Sequence, residues 1–455
     1  MKDLRCFLDL LKDKYPEEIV EVNREVDPKF EMSALVARLE KEGLFPAVFF
    51  KRVKGTKFPV ISSMHSSFRR MAIALGTSES SLGQIYRQRE SSPFPPVLVK
   101  TGPVKEVVIP EEKIDLFKDI VNIYYHEKDG GPYIALGPMV MKDLELGHRN
   151  LGTYRVMIQG RRQLGVYLAQ TSQGFVIHKK HELADKPMEV ALVIGHHPTF
   201  CIGSVANTAP GVDQYSVIGG IMGEPVELVR CETVDLEVPA NAEMVIEGVI
   251  PPGLREMEGP FGEFTGTYGA KSLRPIIKVR AITMRSDAIY QDAFSGHPDN
   301  LILGYFGRLN AIFKTLNLAV RTVKDIHMPI AGRCRFICYV SIKKMMEGEA
   351  KNACFAAFAA DPFLKYVIVV DEDIDIKSDS EMMHAVAMWV RPSQDIFIVS
   401  GAKGSPLDPT AEEGYLVGKV GIDATRKPGM PEGLSVPKSD EIRLEDYLDT
   451  SRLRN

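Results

Sequence analysis

Apolar positions recur at helical spacing from Leu4 to Leu11, alternate as in a strand from Ile19 to Val26, and return to helical spacing from Glu31 to Glu42 before Gly43. Two short apolar runs follow, Ala47 to Phe50 and Phe58 to Ile61, and then a helical stretch from Ser66 to Leu75 that stops at Gly76. This pattern predicts a first α/β domain. Its end is marked by Ser91-Ser92-Pro93-Phe94-Pro95-Pro96, where the prolines remove backbone donors and clash with a continuing helix.

Beyond Lys105 the pattern changes to short β-like runs: Tyr133 to Met141, Gly152 to Ile158, Leu164 to Ala169, Val190 to Ile194, Val226 to Cys231, Met244 to Ile250 and Ile276 to Arg285. Dense Gly and Pro between them predict a closed or split antiparallel barrel, whose mouth can hold a flat ligand. Helical spacing returns at Leu303 to Leu316. It then alternates with strand-like runs: Phe336 to Ile342, a helix over Glu349 to Ala360, Tyr366 to Val370, a helix over Ser380 to Val390, and Asp395 to Val399. Such a βαβαβ order implies a second α/β domain with parallel strands. The expected division is an N-terminal α/β domain (1–104), a central split β-barrel (105–300), a C-terminal α/β domain (301–428) and a tail (429–455). A short helical pattern from Ile442 to Leu448 in the tail either crosses to a neighbouring subunit or hangs free.

With 455 residues, two or three domains are expected, and a net charge of −4 without long Lys/Arg runs leaves no electrostatic footprint for nucleic acid. The partner is then a small molecule. No apolar stretch reaches the ~18 residues of a membrane span, and Met1 to Arg5 opens an amphipathic pattern unlike a signal peptide, so a cytoplasmic protein is expected. The six Cys are scattered in no zinc or redox spacing and read as free thiols.

Candidate chemistry begins at Glu258-Gly259-Pro260-Phe261-Gly262-Glu263. The Gly/Pro turn keeps the two acids from spreading along a helix face, and two carboxylates in one partly dry site push one pKa upward, giving an acid and a base. A surface hairpin with two solvated acids is the alternative. Arg155, five residues after Asn150, would reach such a site if Gly152 supplied a bulge. An Arg there can hold a carboxylate ionised or grip a substrate carboxylate. Two Gly-flanked lysines, Lys403 and Lys419, could each reach a phosphate, although neither segment is a Walker or dinucleotide loop and both read as loops. The acidic run Asp371 to Asp375 lacks calcium-loop spacing and reads as a solvated turn.

Taken together, Glu258 to Glu263, Asn150 with Arg155, Ala240 to Glu243 after Asp235 to Pro239, Gly404 to Asp408 and Lys419 to Thr425 resemble the UbiD family of reversible decarboxylases, over residues 4 to 428. The resemblance implies a non-oxidative decarboxylase using prenylated FMN, a flavin made by a separate prenyltransferase. It casts Glu263 as general acid, with Arg155 and Glu258 as the ion pair that positions it. It assigns Asn150, Thr153, Arg155 and Lys419 to the cofactor, with Lys419 on the phosphate. In the family a divalent metal, typically manganese, with potassium nearby, bridges the phosphate through Asn, His and Glu. Here Asn150 matches, but the other two positions fall on Gln173 and Gln214, which lack the imidazole and the carboxylate; Asp213 or His178 would serve if the register slipped. His297 in Ser295 to Asp299, and Arg308, are candidate substrate contacts. His297 as a turn cap and Arg308 as a surface residue are the alternatives. The Ser295 to Asp299 and Val340 to Lys344 stretches resemble the branch acting on aromatic and heteroaromatic acids, including furan dicarboxylate decarboxylases. The expected activity is reversible decarboxylation of such an acid by a homo-oligomer, dimer or hexamer. The competing expectation is a flavin-binding carboxylase subunit or scaffold without activity of its own.

Overall fold

The computed structural model describes residues 2–431 together with 442, 446 and 447. The helical pattern read across Ile442 to Leu448 thus lies largely outside the described residues. The N-terminal helix Leu4–Lys14 starts at Asp3, whose side chain accepts from Cys6 N, and buries Leu4, Phe7, Leu8 and Leu11 on one face. Strands Ile19–Val22, Ala47–Phe50 and Val60–Ser62 form a sheet whose fourth strand, Tyr290–Gln291, comes from far along the chain. Helix Phe68–Leu75 packs beside it and is capped by Ser67.

Arg70 on that helix is fully buried and ties this region together. Its guanidinium donates to Glu18 Oε2 at 2.9 Å, to Met64 O and Ser63 O at 2.8 Å each, to Phe45 O at 2.9 Å and to Ser66 Oγ at 2.7 Å. Burial pulls its pKa down to about 10, and Glu18 opposes that shift. Removing one partner of a buried pair leaves the other charge unmatched, so Arg70→Ala is expected to cost about 3–5 kcal/mol. Urea unfolding followed by tryptophan-independent circular dichroism checks this, and an unchanged midpoint would show that the network is redundant.

The central region is a ten-stranded, wholly antiparallel sheet, the split barrel of the fold. Its long strand Ser272–Met284 pairs with Gln163–Val166, Met244–Ile250, Arg255–Glu258 and Val107–Pro110, and so links the sheet across its width. Three helices, Gln173–Leu183, Pro198–Ser204 and Gln214–Met222, interrupt the strands and were not readable in the pattern. Every residue of Pro198–Ser204 is buried, which erases the period of an amphipathic helix, while Val176 and Leu183 of the first helix face solvent.

Helix Pro298–Ala319 leads into the C-terminal domain, a five-stranded sheet in the order Val323–His327, Ile337–Ile342, Tyr366–Asp371, Leu416–Asp423, Ile396–Lys403. The three middle strands are parallel and both edges antiparallel. The third parallel strand is therefore Leu416–Asp423, which the pattern gave as a loop, and Ile396–Lys403 forms a hairpin with it. Gly418 and Gly421 hide that strand's alternation. A Cβ at Gly421 would meet the Phe397 ring at 2.3 Å, so glycine is what lets the two strands pack. All six cysteines are free. Among the described residues no helix is long and apolar enough to cross a membrane.

Candidate active site

Glu258 ends the strand Arg255–Glu258, held in register opposite Ser272. Gly259, at φ 91°, and a cis Gly259–Pro260 peptide turn the chain into Phe261–Gly262, which pairs with Tyr268–Gly269. Glu263 N then donates to Thr267 O at 2.9 Å, and Gly262 N to Asp129 Oδ1 at 2.9 Å, so both acids rest on fixed backbone. The two carboxylates do not face each other directly. Arg155 stands between them: Nε and Nη2 donate to Glu258 Oε1 and Oε2 at 3.0 and 2.8 Å, and Nη1 pairs with Glu263 Oε1. Glu258 is fully buried and also accepts from Tyr133 OH at 2.9 Å, whose own ionisation burial and Glu258 push upward. The guanidinium lies 4.4 Å from the centre of the Tyr167 ring. Gly269 keeps the pair open, because a Cβ there would come within 2.8 Å of Glu263 Oε1.

Asn150 lies on the strand Arg149–Thr153, where Gly152 pairs regularly with Met139. No bulge at Gly152 turns the chain; the strand breaks at Tyr154 and Arg155 before resuming at Val156, and that break delivers Arg155. A side chain at Gly152 would strike the Tyr154 ring at 2.6–2.8 Å. Asn150 Nδ2 donates to Gln173 Oε1 and Gln214 Oε1, each at 2.8 Å, so the structure brings these three together. It does not bring Asp213 or His178 to them. Asp213 pairs with Arg149 at 2.7 Å, and His178, its pKa lowered to about 4 by burial, sits near Glu182 and Arg255 and does not line the cavity.

Arg155, Glu263, Asn150, Thr153 and Gln173 line a cavity of about 440 Å³, whose other wall is C-terminal: Arg308, Arg335, Asp361, Pro362, Phe363 and Leu407. Asn150 Oδ1 and Thr153 Oγ1 are buried there without a hydrogen-bond partner among the described residues, as suits a wall shaped for a polar ligand. Lys419, from the third parallel strand, is buried just behind that wall. Its Nζ donates to Pro362 O at 3.1 Å, and burial lowers its pKa. Arg308 Nη1 donates to Asp361 Oδ2 at 2.8 Å and the guanidinium lies 4.3 Å from the Phe363 ring centre. His297 is placed elsewhere: it caps helix Pro298–Ala319 by accepting from Asp299 N, stacks on Phe294, and is off the cavity wall.

Arg335 was not singled out by any motif. It is buried over Phe264, the residue after Glu263, at 4.1 Å, and its guanidinium makes a long hydrogen bond, 3.4 Å, to Arg333 O. Burial, with Arg308 close by, pulls its pKa down to about 9. Asn300, one turn into the helix that His297 caps, also lines the cavity. No spacing in the sequence marks either residue, because folding alone brings their segments to the barrel.

A split barrel joined to an α/β domain across a cavity that Arg155 and Glu263 line, with Glu258 buried behind them, defines a class of carboxy-lyases, and comparison with known proteins agrees. Models of the N-terminal, Rift-related and C-terminal domains of 3-octaprenyl-4-hydroxybenzoate carboxy-lyase (UbiD) match residues 10–89, 97–298 and 302–424. The chain belongs to the UbiD family. It is 33% identical to the phenolic acid decarboxylase of Sedimentibacter hydroxybenzoicus, covering 98% of this chain and 95% of that protein. Identity to the anhydromevalonate phosphate decarboxylase of Methanothermobacter thermautotrophicus is 32%, covering 93% and 96%. Among solved structures, the UbiD-class enzyme HmfF from Pelotomaculum thermopropionicum in complex with FMN superposes with a TM-score of 0.92 at 38% identity, covering 98% of this chain and 100% of that one. An evolved dimeric form of HmfF in complex with prFMN gives 0.90 at 36%, with the same coverage.

Proposed function

We propose that this chain catalyses the reversible, non-oxidative decarboxylation of an aromatic or heteroaromatic acid of the furan type, with prenylated FMN in the cavity. The observation that carries this reading is the charge of the cavity wall: Arg155 and Glu263 on the barrel side, with Glu258 buried behind Arg155, and on the other side two guanidiniums with Asp361 as their near carboxylate. The similarity to HmfF agrees with that branch. Asn150, Thr153, Arg155 and Lys419 are the residues to hold the cofactor, the first two through polar atoms that lack a partner. When bound, prenylated FMN supplies an electrophilic ring that takes up the electrons released as CO₂ leaves. Glu263 is then the proton donor to the carbon that loses CO₂, and Arg155 with Glu258 holds it in place. Arg308 and Arg335 grip a further carboxylate of the substrate. With this reading go a flavin prenyltransferase as cofactor supplier, as the resemblance implies, together with a homo-oligomer and the cytoplasmic setting expected from the sequence.

The test is CO₂ release by protein co-produced with a flavin prenyltransferase, across furan and benzene acids carrying one or two carboxylates. No release from any of them, with the modified flavin bound, would leave the inactive-subunit reading standing. Arg335→Gln removes a charge-assisted contact of about 1.5–3 kcal/mol, so KM for the dicarboxylic acid is expected to rise about ten- to hundredfold. An equal change for the matching monoacid would show that Arg335 does not hold the second carboxylate.

A further inference from the structure

Asn150, Gln173 and Gln214 stand where the family resemblance sets a divalent metal and potassium; their hydrogen bonds occupy both glutamine oxygens, and Asn150 Oδ1 alone of the three amide oxygens stays open to the cavity. The amide orientations follow from their surroundings. Gln214 Nε2 donates to three main-chain carbonyls, Gly203 O at 3.2 Å, Ser204 O at 2.9 Å and Ala206 O at 3.2 Å. Turning that amide over would set its oxygen against all three carbonyl oxygens. Gln214 Oε1 must therefore face the other way, where it accepts from Leu151 N at 2.9 Å and Asn150 Nδ2 at 2.8 Å. Gln173 is held likewise: its Nε2 donates to Thr208 O, and its Oε1 accepts from Asn150.

Two consequences follow for cations. The point on which both glutamine oxygens converge is taken by the Asn150 amide hydrogens. A cage of three carbonyl oxygens, the kind of donor set that holds a monovalent cation, is filled by the Gln214 amide nitrogen. The donors themselves are also unsuited to manganese. A divalent transition ion draws much of its affinity from carboxylate charge and imidazole basicity, and three neutral amides supply neither. Asp213, the nearest carboxylate in sequence, is neutralised by Arg149 and accepts from Tyr215 N at 3.0 Å at the helix start. Among the described residues no group of three or more His, Cys, Asp or Glu side chains could hold a metal elsewhere.

We infer that this chain binds the phosphate end of its flavin without a divalent metal or potassium, amide N–H groups taking the places of both cations. The inference rests on the flavin reading of the cavity. Its test uses the full-length protein purified from medium and buffers containing MnCl₂. Elemental analysis of the washed protein is expected to find no stoichiometric manganese. FMN, followed by fluorescence quenching, is expected to stay bound after EDTA and after potassium is exchanged for tetramethylammonium. Stoichiometric manganese in the wild type, or loss of FMN on either treatment, overturns the inference.

The variant carrying Gln173→His and Gln214→Glu restores a charged donor set, and its carboxylate would face the three carbonyls unless a cation came between. It is expected to take up Mn²⁺, read as loss of the free-ion electron paramagnetic resonance signal. A folded double variant that still ignores Mn²⁺ would show that the two glutamines are not what excludes the ion. If the variant does not fold, the wild-type measurements decide alone. If FMN binds under no condition, the flavin reading fails, and titrating Mn²⁺ into the flavin-free protein still decides this inference.

Discussion

Glu263→Gln is expected to lower kcat by about 10²–10⁴-fold, the usual loss when a positioned general acid is removed, while flavin stays bound. The substitution isolates the proton. The amide keeps the shape of the side chain and an oxygen for Arg155 Nη1, and the backbone hydrogen bond from residue 263 to Thr267 O does not depend on the side chain. Glu263 is nearly buried but lines the cavity, so its proton has access to a ligand there and little access to bulk water. On the proposed reversible decarboxylation, the same variant should lose exchange of solvent deuterium into the decarboxylated product. Turnover within about threefold of wild type would refute the acid's role, since that is far below the effect of removing a proton donor.

What could be read in the sequence depended on whether the signal was local. The pair Glu258 and Glu263 lies in one hexapeptide, and the Gly/Pro turn that joins them is visible in the sequence, so their nearness was legible. Arg155 was legible as a candidate for that site, but by the wrong route: the expected bulge at Gly152 is absent, and the strand break at Tyr154 and Arg155 is what delivers it. The helix Leu4–Lys14 was readable because one face is buried and the other wet, whereas Pro198–Ser204 is buried all round and carries no period. Leu416–Asp423 reads as a loop because two of its inner positions are glycine, and only the packing of Phe397 and Cys354 against Gly421 explains why. His297 and Arg335 make the sharpest contrast. His297 sits in a conspicuous Ser-Gly-His-Pro-Asp stretch, yet its ring caps a helix, a local task that needs that position before a proline at the first helical residue. Arg335 sits in an unremarkable loop, and its place over Phe264 is decided by how the C-terminal sheet docks on the barrel.

Arg155→Lys is the substitution that asks most of the site, because it keeps the charge and removes the fork. Arg155 uses three nitrogens at once, two on Glu258 and one on Glu263, and its plane lies against Tyr167. An ammonium is a single point with a shorter reach and no plane, so it can pair with one carboxylate but cannot hold both in a fixed relation. Glu258 keeps Tyr133 as a donor and has the lysine within reach, so the fold should survive. Glu263 loses the contact that aims it. Misplacing a reacting group by an ångström costs about 10²-fold, so kcat is expected to fall by about that factor, with KM and flavin retention little changed. Arg155→Met separates position from charge: it leaves two nearly or fully buried carboxylates without a cation, at a cost of about 3–5 kcal/mol seen in thermal unfolding. If Arg155→Lys turned over like wild type, a positive charge alone would be enough, and the bidentate geometry would have no part in placing the acid. A large loss of activity in Lys with a stable fold, set against a large loss of stability in Met, is the pattern that a positioning guanidinium requires.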